Sequence, residues 1–136
     1  MLRAYKYRIY PTDEQKVLFA KTFGCCRFVY NWALNLKIEA YKLEKKSVAY
    51  KEVQNRMVNE LKKENQWLTE VNSQALLNSI RNLDTAYKNF FRDTHAVGFP
   101  RFKSRKNRQS FQCPQHCSVD FGKGTVSIPK AKDIPA

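Results

Sequence analysis

A cluster of five cations marks the second half of the chain. The cations fall within eight residues: Arg101, Lys103, Arg105, Lys106 and Arg108. No Asp or Glu occurs over 94–119, so no acid nearby in the sequence neutralises them. Phe99, Phe102 and Phe111 interleave with the cations, a pattern typical of segments that follow a phosphate backbone and stack on bases. We predict a nucleic-acid-binding basic loop over 94–107; the alternative is a solvated loop whose phenylalanines pack into the core.

A polar and basic helix face is the second candidate for binding. Residues 72–93 carry an apolar stripe at steps of three and four residues, which we assign to core packing. The opposite face can lie against phosphates and hydrogen-bond to base edges, or it is an ordinary solvated surface. The helix start adds a phosphate position favoured by the helix dipole, and the start of the preceding helix adds a tyrosine. Apart from the five clustered cations, the predicted contact residues are Tyr50, Ser73, Gln74, Asn78, Arg81 and Lys88.

Metal-binding and catalytic chemistry are predicted to be absent. Cys113, His116 and Cys117 form a tight group, but zinc usually needs four ligands in two well-spaced pairs, and His95 stands alone. The adjacent pair Cys25–Cys26 falls on a predicted helix, where neighbours cannot easily share one metal, so buried reduced thiols are expected. The acids are scattered, so no paired cluster for two-metal catalysis is expected. We therefore predict no metal, no cofactor and no catalytic residue.

The overall charge points to a polyanionic partner. The chain has 136 residues, enough for one domain or one domain with an insertion, and 25 Lys plus Arg against 12 Asp plus Glu give a formal charge of +13. DNA or RNA is the default partner of such a surface. An anionic membrane is the rival partner, but no apolar run approaches the ~18–20 residues of a spanning helix, and residues 2–6 are a charged alternating segment rather than an apolar signal-peptide stretch.

The positioning elements are predicted to be a strand, helices and further strands. Residues 2–10 alternate like a strand, and Thr12 with Gln15 forms a capping box that starts a helix running to about residue 44. Gly24 is predicted to split this stretch into two helices with a helix-turn-helix outline. Ser47 is predicted to cap a third helix over 50–64.

The fourth predicted helix is the one over 72–93. The helices are expected to share an aromatic core. The predicted members of this core are Phe19, Phe23, Phe28, Trp32, Tyr87 and Phe90.

The end of the chain reads as a β-hairpin. Residues 118–121 and 125–128 flank a turn with glycines at positions 122 and 124, and residues 108–113 can add another strand. One opening strand is not stable alone, so its natural partner is this closing hairpin. The expected fold is α+β, mainly α, with four helices inserted into a small β unit.

Several segments, read together, resemble the amino-terminal part of the TnpB (OrfB) family of insertion-sequence proteins. The matching segments are Tyr7-Arg8-Ile9-Tyr10-Pro11-Thr12 with Gln15, Arg27-Phe28-Val29-Tyr30-Asn31, Trp67-Leu68, Gln74-Ala75-Leu76, Asn82-Leu83-Asp84, Ala86-Tyr87-Lys88-Asn89-Phe90-Phe91, Phe99-Pro100-Arg101-Phe102-Lys103 and Ile128-Pro129-Lys130. The resemblance covers essentially the whole chain.

The resemblance implies a fold and partners. Full-length members are transposon-encoded, RNA-guided DNA endonucleases whose amino-terminal portion is a wedge-type β-barrel interrupted by a helical recognition lobe. It implies a partial, incomplete barrel from 1–11 and 108–136, a recognition lobe over 12–93 and the basic loop over 94–107. The implied partners are DNA and/or structured guide RNA, and the implied location is the prokaryotic cytoplasm beside the nucleoid.

The nuclease half of that family has an acidic triad on a RuvC-like fold and a four-cysteine zinc module, which we expect to lie beyond Ala136. The expected function is therefore nucleic-acid binding by a transposase-type chain that is not an enzyme by itself. Endonuclease activity is expected only when the missing half is joined. The alternative from another class is a helical protein-interaction module with incidental charge. The sequence leaves the oligomeric state open.

Overall fold

The chain forms a helical part followed by a small antiparallel sheet. The computed structural model describes residues 2–93, 98–106 and 108–136. The helical elements are α1 (Asp13–Glu44), α2 (Tyr50–Arg56), a π-helical turn (Met57–Leu61), α3 (Lys62–Glu64), a 3-10 turn (Gln66–Glu70) and α4 (Ser73–Arg92). The strands are β1 (Ser118–Asp120), β2 (Thr125–Ile128) and β3 (Ala131–Pro135). The predicted α+β, mainly helical class is confirmed.

Helix α1 begins at the predicted capping box. The Gln15 backbone N–H donates to the Thr12 hydroxyl at 3.3 Å, and the Thr12 N–H donates to the Gln15 side chain at 2.8 Å. Two acids follow in the first turn, where their negative charge stabilises the helix by interacting with the positive end of its dipole. The helix ends at Lys45, whose left-handed backbone (φ 57°) stops the hydrogen-bond ladder.

The predicted break at Gly24 is wrong, because α1 is one continuous helix of 32 residues. A glycine inside a helix costs only about 1 kcal/mol relative to alanine. The buried residues of α1 on both sides of Gly24 outweigh that cost, because tertiary packing supplies most of a helix's stability. They include Thr22, Cys26 and Val29. The described residues therefore form three long helical stretches rather than four separate helices.

The predicted N-cap of the second helical stretch, Ser47, does not cap it, because the helix begins at Tyr50. Ala49 occupies the N-cap position without a side-chain cap, and Ser47 is exposed before it. The reason is that Val48 is buried in the core and its carbonyl accepts a hydrogen bond from Lys37 Nζ at 2.9 Å. These contacts fix the chain between Ser47 and the helix.

The core is aliphatic, so the predicted aromatic core is wrong. Among the described residues, Tyr30 is the only aromatic side chain that is buried, and the other rings are partly or largely exposed. Helices α1 and α4 meet through small side chains: the Cys26 thiol lies 3.7 Å from the Ala75 carbonyl, and Ser79 is buried one turn further on. This close approach leaves the rings at the rim. The largest fully buried side chains of the helical core are Val29, Leu34, Val53, Met57, Leu68, Leu76, Ile80 and Leu83.

The sheet confirms the predicted hairpin and adds a strand. Its order is β1-β2-β3, all antiparallel, with Val119 opposite Val126 and Val126 opposite Ile134. The Asp120 carboxylate accepts from the backbone N–H groups that follow it at 3.0 and 3.2 Å, and Gly124 adopts φ +66°. Strand β3 was not predicted from the sequence.

The predicted opening strand over 2–10 and the optional strand over 108–113 do not form. A strand needs a ladder of partners, and the opening segment meets the sheet through one backbone bond, from Tyr10 N to Pro135 O at 2.6 Å. Gln15 Nε2 also donates to Lys132 O at 3.0 Å, which joins the sheet to α1. The sheet seen here is open, and a barrel stays a prediction.

No helix among the described residues is both long enough and apolar enough to cross a bilayer.

We predict that Gly24→Ala stabilises the protein, because α1 is helical there and an added Cβ meets only Arg27 Nη2, at 3.8 Å. The free energy of unfolding in urea should rise by about 0.5–1 kcal/mol. Gly124→Ala is the matched control and should lower the free energy of unfolding, since φ is +66° at Gly124. Destabilisation by Gly24→Ala would contradict a continuous α1.

Candidate nucleic-acid interface

The basic segment, defined here as the described residues 98–106 and 108–113, lies in the groove between α1 and α4. Phe99 packs edge-on against Tyr87 and Phe90 near the end of α4, each with ring centroids 5.4 Å apart. Phe111 packs against Phe19 and Phe23 of α1 at 5.9 and 5.3 Å. The segment therefore runs back along both helices, and its phenylalanines anchor it at two distant points.

A paired amide contact fixes the middle of the basic segment. The Asn31 side chain on α1 donates from Nδ2 to Lys103 O at 2.9 Å, and its Oδ1 accepts from Lys103 N at 2.8 Å. This satisfies both backbone polar groups of Lys103, as a neighbouring strand would. Asn31 was not predicted as a site residue, although it stands in one of the segments that carry the family resemblance.

Lys103 is also held through its side chain. Its Nζ lies 4.4 Å from the centroid of the Tyr30 ring, a cation–π geometry. Burial raises the pKa of the Tyr30 phenol, so the ring stays neutral. Lys103 is therefore more restrained than the other four cations of the cluster.

The far end of the basic segment is fixed by α4. Asn78 Nδ2 donates to Gln112 Oε1 at 2.5 Å, and Asn72 Nδ2 lies 3.5 Å from the Cys113 thiol. Asn78 is only 8% exposed. It was predicted to read base edges, but this position commits its amide to the basic segment, and a base could reach it only if that bond broke.

The five predicted cations face solvent without acidic partners. All five are exposed, and no carboxylate of the described residues pairs with any of them. The ion pairs of the described residues lie elsewhere, for example between Arg56 and Glu52 at 3.0 Å. The groove below holds a cleft of about 70 Å³, whose polar lining includes Arg27, Asn82 and Arg108. Arg27 and Asn82 were not predicted as site residues.

The remaining predicted residues do not form one patch. Arg81 is exposed, and Lys88, two turns along α4, forms an ion pair with Asp84 at 3.1 Å. Ser73 is exposed at the helix start. The phosphate position predicted there is already occupied in part, because the N-cap Asn72 accepts from Gln74 N at 3.2 Å. The Gln74 side chain is half-buried, and Tyr50 packs against the core.

Cys25 and Cys26 are buried thiols in the helical core. Burial, with the neighbouring Cys26 thiol, raises the pKa of Cys25 to about 11, and burial also raises the pKa of Cys26. All four cysteines are free. Within the described ranges no three His, Cys, Asp or Glu side chains come together as a metal site would require, and His95 lies outside those ranges.

Comparison of the sequence with known proteins shows the family of the chain. A family model described as a helix-turn-helix domain, of OrfB proteins from IS605-type elements, matches residues 1–46. A candidate RNA-guided DNA endonuclease of Streptomyces pristinaespiralis is 42% identical over 133 residues, and the one named InsQ from Escherichia coli is 37% identical over 131. Virulence protein VsdF of Salmonella dublin is 34% identical over 116 residues, 98% of its length. The chain belongs to the TnpB (OrfB) family.

The alignments with the TnpB-type relatives cover nearly all of this chain but only part of theirs. They include 96% and 95% of the chain, which spans 32% of the length of each endonuclease-named relative. For VsdF the alignment covers 79% of this chain. Among the described residues that the helix-turn-helix model matches, 2–12 have no regular secondary structure and Asp13–Glu44 form one unbroken helix, so that description names the family and not the local geometry.

We predict that Asn31→Ala releases the basic segment. Two hydrogen bonds worth about 0.5–1.5 kcal/mol each are lost, so limited trypsin digestion at the cations should become about tenfold faster. Asn35→Ala, one turn along the exposed side of α1, is the matched control and should cleave like the unchanged protein. Equal cleavage of both variants would show that the Asn31 contact does not hold the segment.

Proposed function

We propose that this chain is the nucleic-acid-binding amino-terminal portion of a TnpB-family RNA-guided DNA endonuclease, and that it binds without cleaving. The observation that carries the proposal is the basic segment, which is anchored to α1 and α4 while its five cations stay exposed and have no acidic partner among the described residues. DNA or structured guide RNA is the proposed partner, since phosphates are common to both.

The geometry of the basic segment supports binding to the phosphate backbone of a nucleic acid. Lys and Arg side chains that contact phosphates set the register of a protein on a nucleic acid and carry little sequence information. Ordering a loop usually costs conformational entropy on binding. Here Asn31 and the packed rings of Phe99 and Phe111 have already ordered the backbone that carries the cations.

Arg81 and Ser73 are the best remaining candidates for contacts on α4. Both are exposed, and Arg81 has no acidic partner among the described residues. We place Asn78 outside the contact surface, because it holds Gln112. We also propose that the divisions 12–93 and 94–107 act as a recognition lobe and a binding loop, with 1–11 and 108–136 as the β unit.

The absence of cleavage is proposed from the placement of the acids. Asp84, Glu52 and Glu70 belong to different elements, and each pairs with a cation. Two-metal cleavage needs carboxylates that hold metal ions roughly 4 Å apart. The whole relatives are named as endonucleases, so catalytic groups are proposed to reside in the part of them outside this alignment.

We predict a salt dependence set by the five cations. If they contact about five phosphates, log K against log salt should have a slope near −4.5 for duplex DNA and near −3.5 for a single strand. Changing Arg101, Lys103, Arg105, Lys106 and Arg108 to Ala should remove most of that slope. The measurement is fluorescence anisotropy of a labelled oligonucleotide across a salt series.

The control removes the same charge elsewhere. Alanine at five exposed lysines also lowers the formal charge from +13 to +8, since 13 − 5 = 8. These lysines are Lys42, Lys46, Lys51, Lys63 and Lys123. The variant with these five lysines changed should keep most of the slope of log K against log salt. Equal slopes for the two quintuple variants would mean that net charge, and not the basic segment, governs binding.

A further inference from the structure

An exposed aromatic pair forms where the 3-10 turn (Gln66–Glu70) packs against α1. Phe28 and Trp67 meet edge to face, with ring centroids 4.9 Å apart and an interplanar angle of 66°. Phe28 is 36% exposed and Trp67 43% exposed. The edge-to-face contact leaves part of each ring open to solvent, so the pair can still accept another flat group.

The pair borders an open cleft of about 560 Å³. Gly24 lies in its wall, and an added Cβ there would have only Arg27 Nη2 within 4 Å, at 3.8 Å. Because Gly24 has no side chain, the space that a side chain would fill remains part of the cleft. The other lining residues are Lys21, Cys25, Arg27, Phe28, Asn31, Trp67 and Glu70.

The polar rim of the cleft favours an anionic ligand. Lys21 and Glu70 neutralise each other across it at 3.5 Å, and both are more than half exposed. No carboxylate of the described residues pairs with Arg27. The rim thus keeps one unpaired cation, from Arg27, beside two aromatic faces.

We propose that this cleft binds an unpaired nucleobase, stacked on Trp67 or Phe28 with its phosphate beside Arg27. The inference rests on the proposed function and adds a site for single-stranded nucleic acid. It is favoured over a protein partner by continuity: Arg27 also lines the cleft beneath the basic segment, and Asn31 both borders this cleft and holds Lys103. Aromatic stacking next to a cation is the usual means of holding single strands.

Stacking on Trp67 can be observed directly. Trp32→Phe leaves Trp67 as the only tryptophan of the chain, so its fluorescence reports on the cleft alone. A single-stranded DNA of about 16 nucleotides should quench it, and a blunt duplex of the same sequence should not, because its bases are already stacked. Affinity for both DNAs is measured by anisotropy in the same titration.

Filling the cleft tests the site without removing a ring. Gly24→Leu places a good helix former inside α1, so circular dichroism should show the helix intact. Single-strand affinity should fall by at least about fivefold, consistent with the loss of a stacked base, and duplex affinity should not change. Gly24→Ala is the control for helix effects and should stay within about twofold. Phe28→Ala should repeat the single-strand loss.

The outcomes separate this inference from the function on which it rests. If single strands bind with a slope set by the basic segment, but Trp67 is not quenched and Gly24→Leu binds normally, the site is wrong and the proposed function stands. Quenching by duplex as strongly as by single strand would also overturn it. If neither DNA binds the unchanged protein, the proposed function fails and this site fails with it.

Discussion

The paired hydrogen bonds between the Asn31 amide and the Lys103 backbone are the contact on which the proposed binding surface depends. They join a rigid helix to a segment that has no regular secondary structure of its own. The rings of Phe99 and Phe111 fix the two ends of that segment, and the Asn31 bonds fix the backbone between them, among the cations. Cations held in this way meet a phosphate backbone with less loss of conformational entropy than cations on a free loop.

The unbroken α1 makes this arrangement possible. Phe19, Phe23 and Asn31 lie on one helix, so their spacing is fixed by the helical repeat rather than by a hinge. A turn at Gly24 would rotate Asn31 away from Phe23. The small residues between α1 and α4 bring the helices close together, and the large rings are left at the rim, where they line the groove and the neighbouring cleft.

Local patterns in the sequence predicted what local physics decides. The capping box at Thr12 and Gln15, the stripe through Leu76, Ile80 and Leu83, and the hairpin around Gly124 all follow from contacts within a few residues. The errors came from effects between distant residues. Helix packing overrode the glycine at position 24.

Side-chain roles were harder to predict than elements. Asn78 and Asn31 carry the same amide group, and the local sequence pattern of neither residue shows that it bonds to the basic segment. The basic segment crosses α1 and α4 in the folded chain, and so Asn78 bonds to Gln112 and Asn31 to Lys103. The cluster of cations was predictable because charge and the lack of acids are visible in sequence; its anchoring was not.

On the proposed function, the held geometry of the cations, and not only their number, gives the affinity. The most direct test compares duplex DNA binding by the unchanged protein, Asn31→Ala and Asn35→Ala at one salt concentration, because all three carry a formal charge of +13. Losing about 2 kcal/mol of restraint should weaken binding by Asn31→Ala by up to roughly thirtyfold, with Asn35→Ala unchanged. Equal affinity of all three proteins would contradict the account.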